Sequence, residues 1–194
     1  MQNFIEALEK CMKTENWYGA LFIALTLPDI CGKIEFPHFR RPGPRYEAWF
    51  DKYLSKFYLN ENRLHTHPDP RIASIQNTIP SHIGKRKKFA YMTGTDLYAL
   101  RCAYLHEGSD ELSSQTVEKT LQRFVFWQPP KGCVFHNNIR DDNGNKALQI
   151  QIDVFVDNVI EAIGDWMSDI KDDYVKIGKI NNLATINFSS NFSL

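Results

Sequence analysis

The chain has 194 residues, of which 43% are hydrophobic, and its 23 basic residues balance 23 acidic ones. This composition predicts one globular domain and excludes collagen-like, low-complexity and wholly disordered chains. The longest strongly apolar stretch, residues 18–27, is about half the length that a membrane-spanning helix needs. Because residues 1–13 mix acidic, basic and apolar side chains, they do not resemble a signal peptide, and we expect a cytoplasmic protein.

The sequence predicts no metal and no cofactor. Its four cysteines form no Cys-x-x-Cys pair and are expected to be reduced: Cys11, Cys31, Cys102 and Cys133. One run, His65-x-His67-x-Asp69, is similar to metal-ligand spacing. It lies between prolines without an obvious further ligand, so a loop is the favoured interpretation.

Charge is distributed unevenly along the chain. Residues 33–91 contain 12 basic against 5 acidic residues, whereas residues 107–173 contain 6 against 13. Two interpretations are open. The basic half binds a polyanion, or the two halves attract each other within or between subunits.

Helical periodicity dominates the first half of the chain. Apolar residues at positions 4, 5, 8, 11 and 12 predict an amphipathic first helix. A second, central helix is predicted from Asn16 to Leu27, ending before Pro28 because proline disfavours a helical residue in front of it. Three prolines and two glycines in residues 32–44 predict a basic loop. An aromatic stripe then predicts a third helix over 45–58.

The middle of the chain carries two more predicted helices. A short helix over about residues 72–79 is stopped by Pro80, and residues 81–91 read as an exposed connection. Thr95 and Asp96 are expected to cap a helix with Leu97, Leu100, Ala103 and Tyr104 along its axis. Gly108 is expected to end this helix through a left-handed turn.

The last third of the chain changes period. Segments 121–127, 133–139 and 147–152 are typical of strands, and Asn143-Gly144 is a hairpin signal. A final helix is predicted from Asp153 to about Ile170, and the tail from Asn181 is expected to be irregular. The predicted fold is therefore mainly α: a single helical domain over 1–180 with a small antiparallel sheet near the C-terminus, followed by the 181–194 tail.

The residue pair that suggests chemistry is Arg101 and His106, at the end of the capped helix. A guanidinium binds phosphate oxygens while keeping its charge, and an imidazole exchanges protons near neutral pH. Together they suit attack of a ribose 2′-hydroxyl on its own phosphodiester, which needs no metal. The structural alternatives are a cationic end of a helix at His106 and an ordinary ion pair at Arg101. Glu107 either orients the imidazole or is solvated.

The nine residues Leu100-Arg-Cys-Ala-Tyr-Leu-His-Glu-Gly108 resemble the motif of HEPN domains, which are helical bundles found in prokaryotic toxins, phage-defence effectors and CRISPR-associated nucleases. The resemblance implies a metal-independent endoribonuclease with Arg101 and His106 as catalytic residues, supported by Glu107 and Cys102. It also implies a homodimer in which both motifs line one cleft. Cys102 stands where the family often has a polar residue, so a non-catalytic interaction domain of the same fold stays an alternative.

Geometry adds a condition. Positions five apart on a straight α-helix differ by about 140° in azimuth, so Arg101 and His106 would need a dimer or unwinding near Gly108 to meet. For RNA binding, the first candidates are the consecutive residues Lys85, Arg86, Lys87 and Lys88, with a solvated surface run as the alternative. RNA, a second copy of the chain and a cognate antitoxin or other partner protein are the expected partners.

Overall fold

The computed structural model describes residues 1–60, 89–108, 123–128, 130, 132–142, 145–184 and 186. The predicted helix over 72–79, the His65-x-His67-x-Asp69 run and the basic residues Lys85, Arg86, Lys87 and Lys88 lie outside these residues. So do the turn residues Asn143 and Gly144 and most of the 181–194 tail.

The described chain is mainly helical with a small three-stranded sheet in its C-terminal half, as predicted, and its first two strands form a separate antiparallel pair. In chain order its elements are α1 Gln2–Lys13, α2 Trp17–Glu35, α3 Pro42–Trp49, β1 Leu59–Asn60, β2 Phe89–Ala90, α4 Gly94–Cys102, β3 Arg123–Trp127, β4 Asn138–Asp142, β5 Asn145–Gln151, α5 Ile152–Asp169 and α6 Tyr174–Asn181. α3 continues as a π-helical turn, Phe50–Leu54, and a 3₁₀ turn, Ser55–Phe57. α4 continues as a π-helical turn, Ala103–Glu107.

α2 lies at the centre of the molecule and contacts every other described α-helix. Its buried residues join one hydrophobic cluster with the aromatic side chains of α3 and α5, including Trp49, Phe155 and Trp166. β5 contributes Leu148 and Ile150 to the same cluster. The prediction that the second helix is central is therefore confirmed. None of the described helices is both long and apolar enough to cross a membrane.

The predicted end of the second helix at Pro28 is wrong, because α2 continues through Pro28 to Glu35. A proline inside a helix costs about 3 kcal/mol. Beyond it, however, Cys31 and Ile34 are buried, and burying one such side chain contributes about 1.5–3 kcal/mol. Packing thus outweighs the local cost, and residues 32–35 of the predicted loop are helical. The third helix also starts earlier than predicted, at Pro42, because proline suits a first helical position.

The three-stranded sheet near the C-terminus is mixed, so the predicted antiparallel arrangement is wrong for one of its two strand pairs. β5 lies between β3 and β4. It pairs with β4 antiparallel, as the hairpin signal predicts, but with β3 in parallel. Residues 133–137 belong to no strand, and Asn137, directly before β4, has a left-handed φ of 56° that interrupts the predicted strand. A hairpin signal fixes only the two strands it joins.

The start of one helix and the presence of another differ from the sequence prediction. α4 is capped by Thr93 rather than Thr95, and Asp96 is its third helical residue. α6, with Asp173 as its N-cap, was not predicted at all. The predicted left-handed turn at Gly108 is confirmed. This glycine ends the π-helical turn that follows α4, and its φ is 66°.

The basic and acidic halves of the chain meet within one molecule. Lys56 lies 2.7 Å from carboxylate oxygens of both Glu161 and Asp165 on α5. Lys52 approaches Asp169 at 3.5 Å. Of the two interpretations of the charge asymmetry, attraction within the subunit therefore holds for these residues.

Candidate functional site

The site is built on α4, whose first turn is fixed by a reciprocal cap. The Thr93 hydroxyl oxygen accepts from the Asp96 backbone N–H at 3.2 Å, and Asp96 Oδ2 accepts from the Thr93 backbone N–H at 2.8 Å. The helix starts against α3, because a Cβ on Gly94 would lie 2.9 Å from the Glu47 Cα. This close approach holds the far end of α4, with Arg101, over α2 and α3.

The π-helical turn Ala103–Glu107 brings Arg101 and His106 together within one chain. Arg101 Nη1 lies 3.1 Å from His106 Nε2. A π-helix pairs residue i with residue i+5, so positions five apart face each other, whereas in an α-helix they diverge. Neither a dimer nor unwinding at Gly108 is needed for the two side chains to meet.

The chemistry of the two side chains gives the direction of this hydrogen bond. An arginine side chain can only donate hydrogen bonds. In this contact His106 Nε2 therefore accepts, which is the role of Nε2 in the tautomer that carries its proton on Nδ1. In this geometry the single lone pair of Nε2 is engaged by the hydrogen bond from Arg101 Nη1, so Nε2 takes up a proton only when that bond breaks.

A carboxylate on α2 holds Arg101 and a second arginine. Asp29 Oδ2 accepts from Arg101 Nη2 at 3.2 Å. Asp29 Oδ1 accepts from both Nε and Nη2 of Arg45, at 3.2 and 3.1 Å. Arg45 therefore donates two hydrogen bonds to Asp29, and Arg101 donates one. Two guanidiniums share one carboxylate, which leaves the group with an excess positive charge.

The close crossing of α2 and α3 places Arg45 beside Asp29. A Cβ on Gly32 would lie 2.7 Å from the Arg45 carbonyl oxygen, so only glycine allows this approach. Gly32 is one turn beyond Asp29 on α2, and the crossing thus sets the spacing of the Asp29–Arg45 pair.

The two motif residues differ in exposure. His106 is exposed, whereas the side chain of Arg101 retains 18% of its accessible surface and that of Asp29 retains 17%. Arg101 Nε is buried and finds no hydrogen-bond partner among the described residues. An unmet buried donor costs about 1–3 kcal/mol. Arg101 is thus anchored from below while its Nη1 reaches the surface beside His106.

Two tyrosines line the underside of this group. Burial raises the pKa of Tyr46 well above its ordinary value, against the opposing effect of Arg101, and its hydroxyl donates to the Leu25 carbonyl at 3.1 Å. Burial and the neighbouring Cys102 raise the pKa of Tyr98. Both phenols stay protonated near neutral pH, so the exposed imidazole is the group here that suits proton transfer.

An aromatic cluster borders the site. The rings of Phe22 on α2 and Tyr104 in the π-helical turn have centroids 5.1 Å apart, and Tyr104 meets Phe126 of β3 edge-on at 6.0 Å. Tyr18, one turn before Phe22, is 76% exposed. Tyr104 lies between Arg101 and His106 in the sequence, so the cluster adjoins the motif.

Of the predicted site residues, the structure brings Arg101, Cys102 and His106 into one region. The Glu107 side chain and the four residues from Lys85 to Lys88 lie outside the described part. Asp29 and Arg45 were missed by sequence reasoning. A lone carboxylate after a long apolar stretch was the available signal for Asp29, but the helix predicted to end before Pro28 did not include it.

Among the residues that the structure describes, no three His, Cys, Asp or Glu side chains gather as metal ligands would. Comparison with models of protein families, with curated proteins and with solved structures finds no match for this chain.

Proposed function

We propose that this protein is a HEPN-like endoribonuclease that cuts RNA without a metal ion. The observation that carries the proposal is the 3.1 Å contact between Arg101 Nη1 and His106 Nε2, made at the surface by the π-helical turn. A proton acceptor and a fixed positive charge then lie side by side, as attack on a phosphodiester requires. The nine-residue resemblance to HEPN motifs supports the same function.

The chemistry balances with these groups. As Arg101 Nη1 turns from His106 Nε2 to a phosphate oxygen, Nε2 takes the proton of the ribose 2′-hydroxyl, and the 2′-oxygen forms a bond to the adjacent phosphorus. The bond from phosphorus to the 5′-oxygen breaks, and that oxygen leaves with a proton from an acid. The products are a 2′,3′-cyclic phosphate and a 5′-hydroxyl. Arg101 stabilises the charge that develops on the non-bridging oxygens.

The proposal includes a homodimer. One protomer supplies one exposed imidazole at the motif, whereas the reaction uses one base and one acid. Two protomers that meet at this surface would supply both and would double the number of guanidiniums in the cleft. Arg101 is suited to the substrate because Asp29 holds it through a single donor, which leaves other N–H groups for phosphate.

Cleavage of a mixed RNA pool in EDTA tests the proposal. Wild type is compared with Arg101→Ala and His106→Ala, and with the controls Arg40→Ala and His38→Ala, whose side chains are exposed outside the motif. We expect 2′,3′-cyclic phosphate ends from the wild type and both controls, and a loss of about 100-fold or more in each motif variant. Cutting that is equal in all five proteins contradicts the proposal.

A second candidate is a non-catalytic interaction domain of the same fold. The ion pair between Arg101 and Asp29, at 3.2 Å and largely buried, favours it, as does Cys102 in place of a polar residue. This candidate predicts no cleavage by the wild type. It also predicts that Arg101→Ala lowers the free energy of unfolding rather than an activity, which urea denaturation measures.

A further inference from the structure

One exposed face of α2 combines aromatic and charged residues beside the motif. Tyr18 is 76% exposed and Phe22 is 44% exposed. At about 100° per residue, Tyr18, Phe22, Asp29 and Lys33 fall within about 60° of one another around the helix. Lys33 is exposed as well. The stripe thus runs from aromatic rings, past the carboxylate that holds Arg101, to a lysine.

The segment that carries the motif also holds an aromatic ring. Tyr104 follows Arg101 by three residues and lies in the π-helical turn. The Tyr104 ring packs against Phe22 at 5.1 Å between centroids. Burial raises the pKa of Tyr104, and the electrostatic effect of Tyr18 raises it further. Tyr18, Phe22 and Tyr104, which we name the aromatic face, are therefore neighbouring rings, and Tyr104 lies between Arg101 and His106 in the sequence.

We infer that the aromatic face stacks an unpaired nucleobase of single-stranded RNA next to the phosphate held by Arg101. The identity of the ligand rests on the proposed function. A single-stranded nucleotide presents an anionic phosphate and a planar base within a short distance, and proteins bind such strands with cationic grooves and aromatic platforms. The excess positive charge of the Arg45–Asp29–Arg101 group matches the phosphate, and the adjoining rings match the base.

The reach of the surface agrees with this ligand. Phe22 and Asp29 are seven residues apart on α2, a rise of about 10 Å, which is comparable to the reach of a dinucleotide. A base on the aromatic face thus belongs to a nucleotide at or next to the cut. Double-stranded RNA keeps its bases paired and stacked, so the surface selects unpaired segments.

The test is binding of two short labelled strands, both with 2′-O-methyl sugars that cannot be cut, one with uracil bases and one without bases. The variants are Tyr18→Ala and Phe22→Leu, the second of which removes the ring and keeps an apolar side chain at this partly exposed position. The control is Tyr174→Ala, which removes an aromatic ring that is 88% exposed on α6, near the opposite end of α2.

We expect each variant to weaken binding of the base-bearing strand by about 10-fold, the effect of losing one stacked base. Both variants should bind the abasic strand with the affinity and the salt dependence of the wild type. The Tyr174→Ala control should bind both strands as the wild type does. Equal affinities of wild type and variants for the base-bearing strand overturn the inference, as do equal losses for both strands or no binding of either strand by the wild type.

Two further readouts separate this inference from its alternatives. If Tyr18→Ala or Phe22→Leu changes the mass of the protein in solution, measured by light scattering, the aromatic face is an interface between copies of the chain and the inference is overturned. A wild type that does not cut unmodified RNA, together with two variants that lose the base-dependent binding of the wild type, gives a different outcome. The proposed function then fails while the aromatic face remains a base-binding site.

Discussion

Asp29 is the residue on which the geometry of the candidate site depends. It accepts three hydrogen bonds, two from Arg45 and one from Arg101. Its carboxylate thereby links α2, α3 and α4 at the point where the motif reaches the surface. In the proposed reaction Asp29 is a positioning residue, because it acts on the substrate through Arg101.

Asp29→Asn should lower the free energy of unfolding by about 2 kcal/mol, since hydrogen bonds to charged groups contribute about 1.5–3 kcal/mol each. Urea denaturation measures the change. Asp165→Asn is the matched control, because its ion pair with Lys56 is 53% exposed on the aspartate side and such pairs contribute about 0–1 kcal/mol. A change in Asp29→Asn as small as in the control would show that the carboxylate does not anchor the arginines.

The positioning role has its own measurement. If Asp29 aligns Arg101, cleavage by the folded fraction of Asp29→Asn should fall by about 10-fold in kcat, with a smaller change in KM. The folded fraction is fixed by working well below the unfolding midpoint. Unchanged kcat would assign Asp29 a purely structural role.

At the scale of elements, the crossing of α2 and α3 sets the site. Gly32 lies against the Arg45 carbonyl with no room for a Cβ. Gly32→Ala should therefore force the helices apart, at a cost of about 1–3 kcal/mol. Thermal and urea unfolding measure this. The control Gly164→Ala, on the exposed side of α5 with no atom within 4 Å of the new Cβ, should instead stabilise the protein by about 0.4–1 kcal/mol.

The two glycine variants share one substitution and differ only in environment. If both stabilise the protein, the crossing has slack and the spacing between Asp29 and Arg45 is not set by Gly32. If Gly32→Ala is folded and unstable, we expect its RNA cleavage to fall as well, because the separation moves Arg45 away from Asp29.

Periodicity predicted the elements whose cause is local. The amphipathic faces of α1 and α5 and the left-handed end at Gly108 followed from residue spacing and from glycine itself. The passage of α2 through Pro28 did not, because it depends on tertiary burial of residues such as Ile34. The parallel pairing of β3 with β5 also depends on where the chain returns, which no turn signal encodes.

The candidate site was predicted in part for the same reason. Arg101 and His106 are close in sequence and carry recognisable chemistry, so the pair could be singled out. The π-helical turn that unites them leaves no clear mark in the residues Ala103–Leu105. Asp29 and Arg45 are sixteen residues apart, and only the folding of α2 against α3 brings them together.

At the scale of the molecule, a buried carboxylate ties four segments together. Glu35, at the end of α2, accepts from Lys52 Nζ at 3.1 Å, from Trp166 Nε1 at 3.1 Å and from Lys176 Nζ at 2.8 Å. Its side chain is only 7% exposed. Burial alone would raise the pKa of Glu35, but the hydrogen bonds from Lys176, Lys52 and Trp166 together hold it below its ordinary value.

The lowered pKa of Glu35 predicts a loss of stability in acid. The unfolded state takes up the proton first, so the contribution of Glu35 is complete above its ordinary pKa and disappears as the pH falls through its folded value. We expect the wild type to lose more free energy of unfolding than Glu35→Gln between about pH 5 and pH 3. Urea denaturation across this range measures the difference.

Asp51 supplies the opposite sign as a control. Burial raises its pKa, so the folded state takes up the proton first and acidification favours folding at this residue. The difference between wild type and Asp51→Asn should change in the opposite direction to that for Glu35→Gln over the same pH range. Parallel profiles for the two variants would contradict the assignment of Glu35 as a charge buried in its ionised form.

The π-helical turn also has a consequence for how the chain tolerates changes in length. Within a regular helix, loss of one residue rotates everything beyond it by about 100° and separates paired side chains. A π-helical turn contains one residue more than an α-helical turn, so deletion within Ala103–Leu105 would restore regular geometry with arginine and histidine four apart. Positions four apart are neighbours on an α-helix. This segment of α4 can therefore shorten by one residue and still hold its guanidinium beside its imidazole.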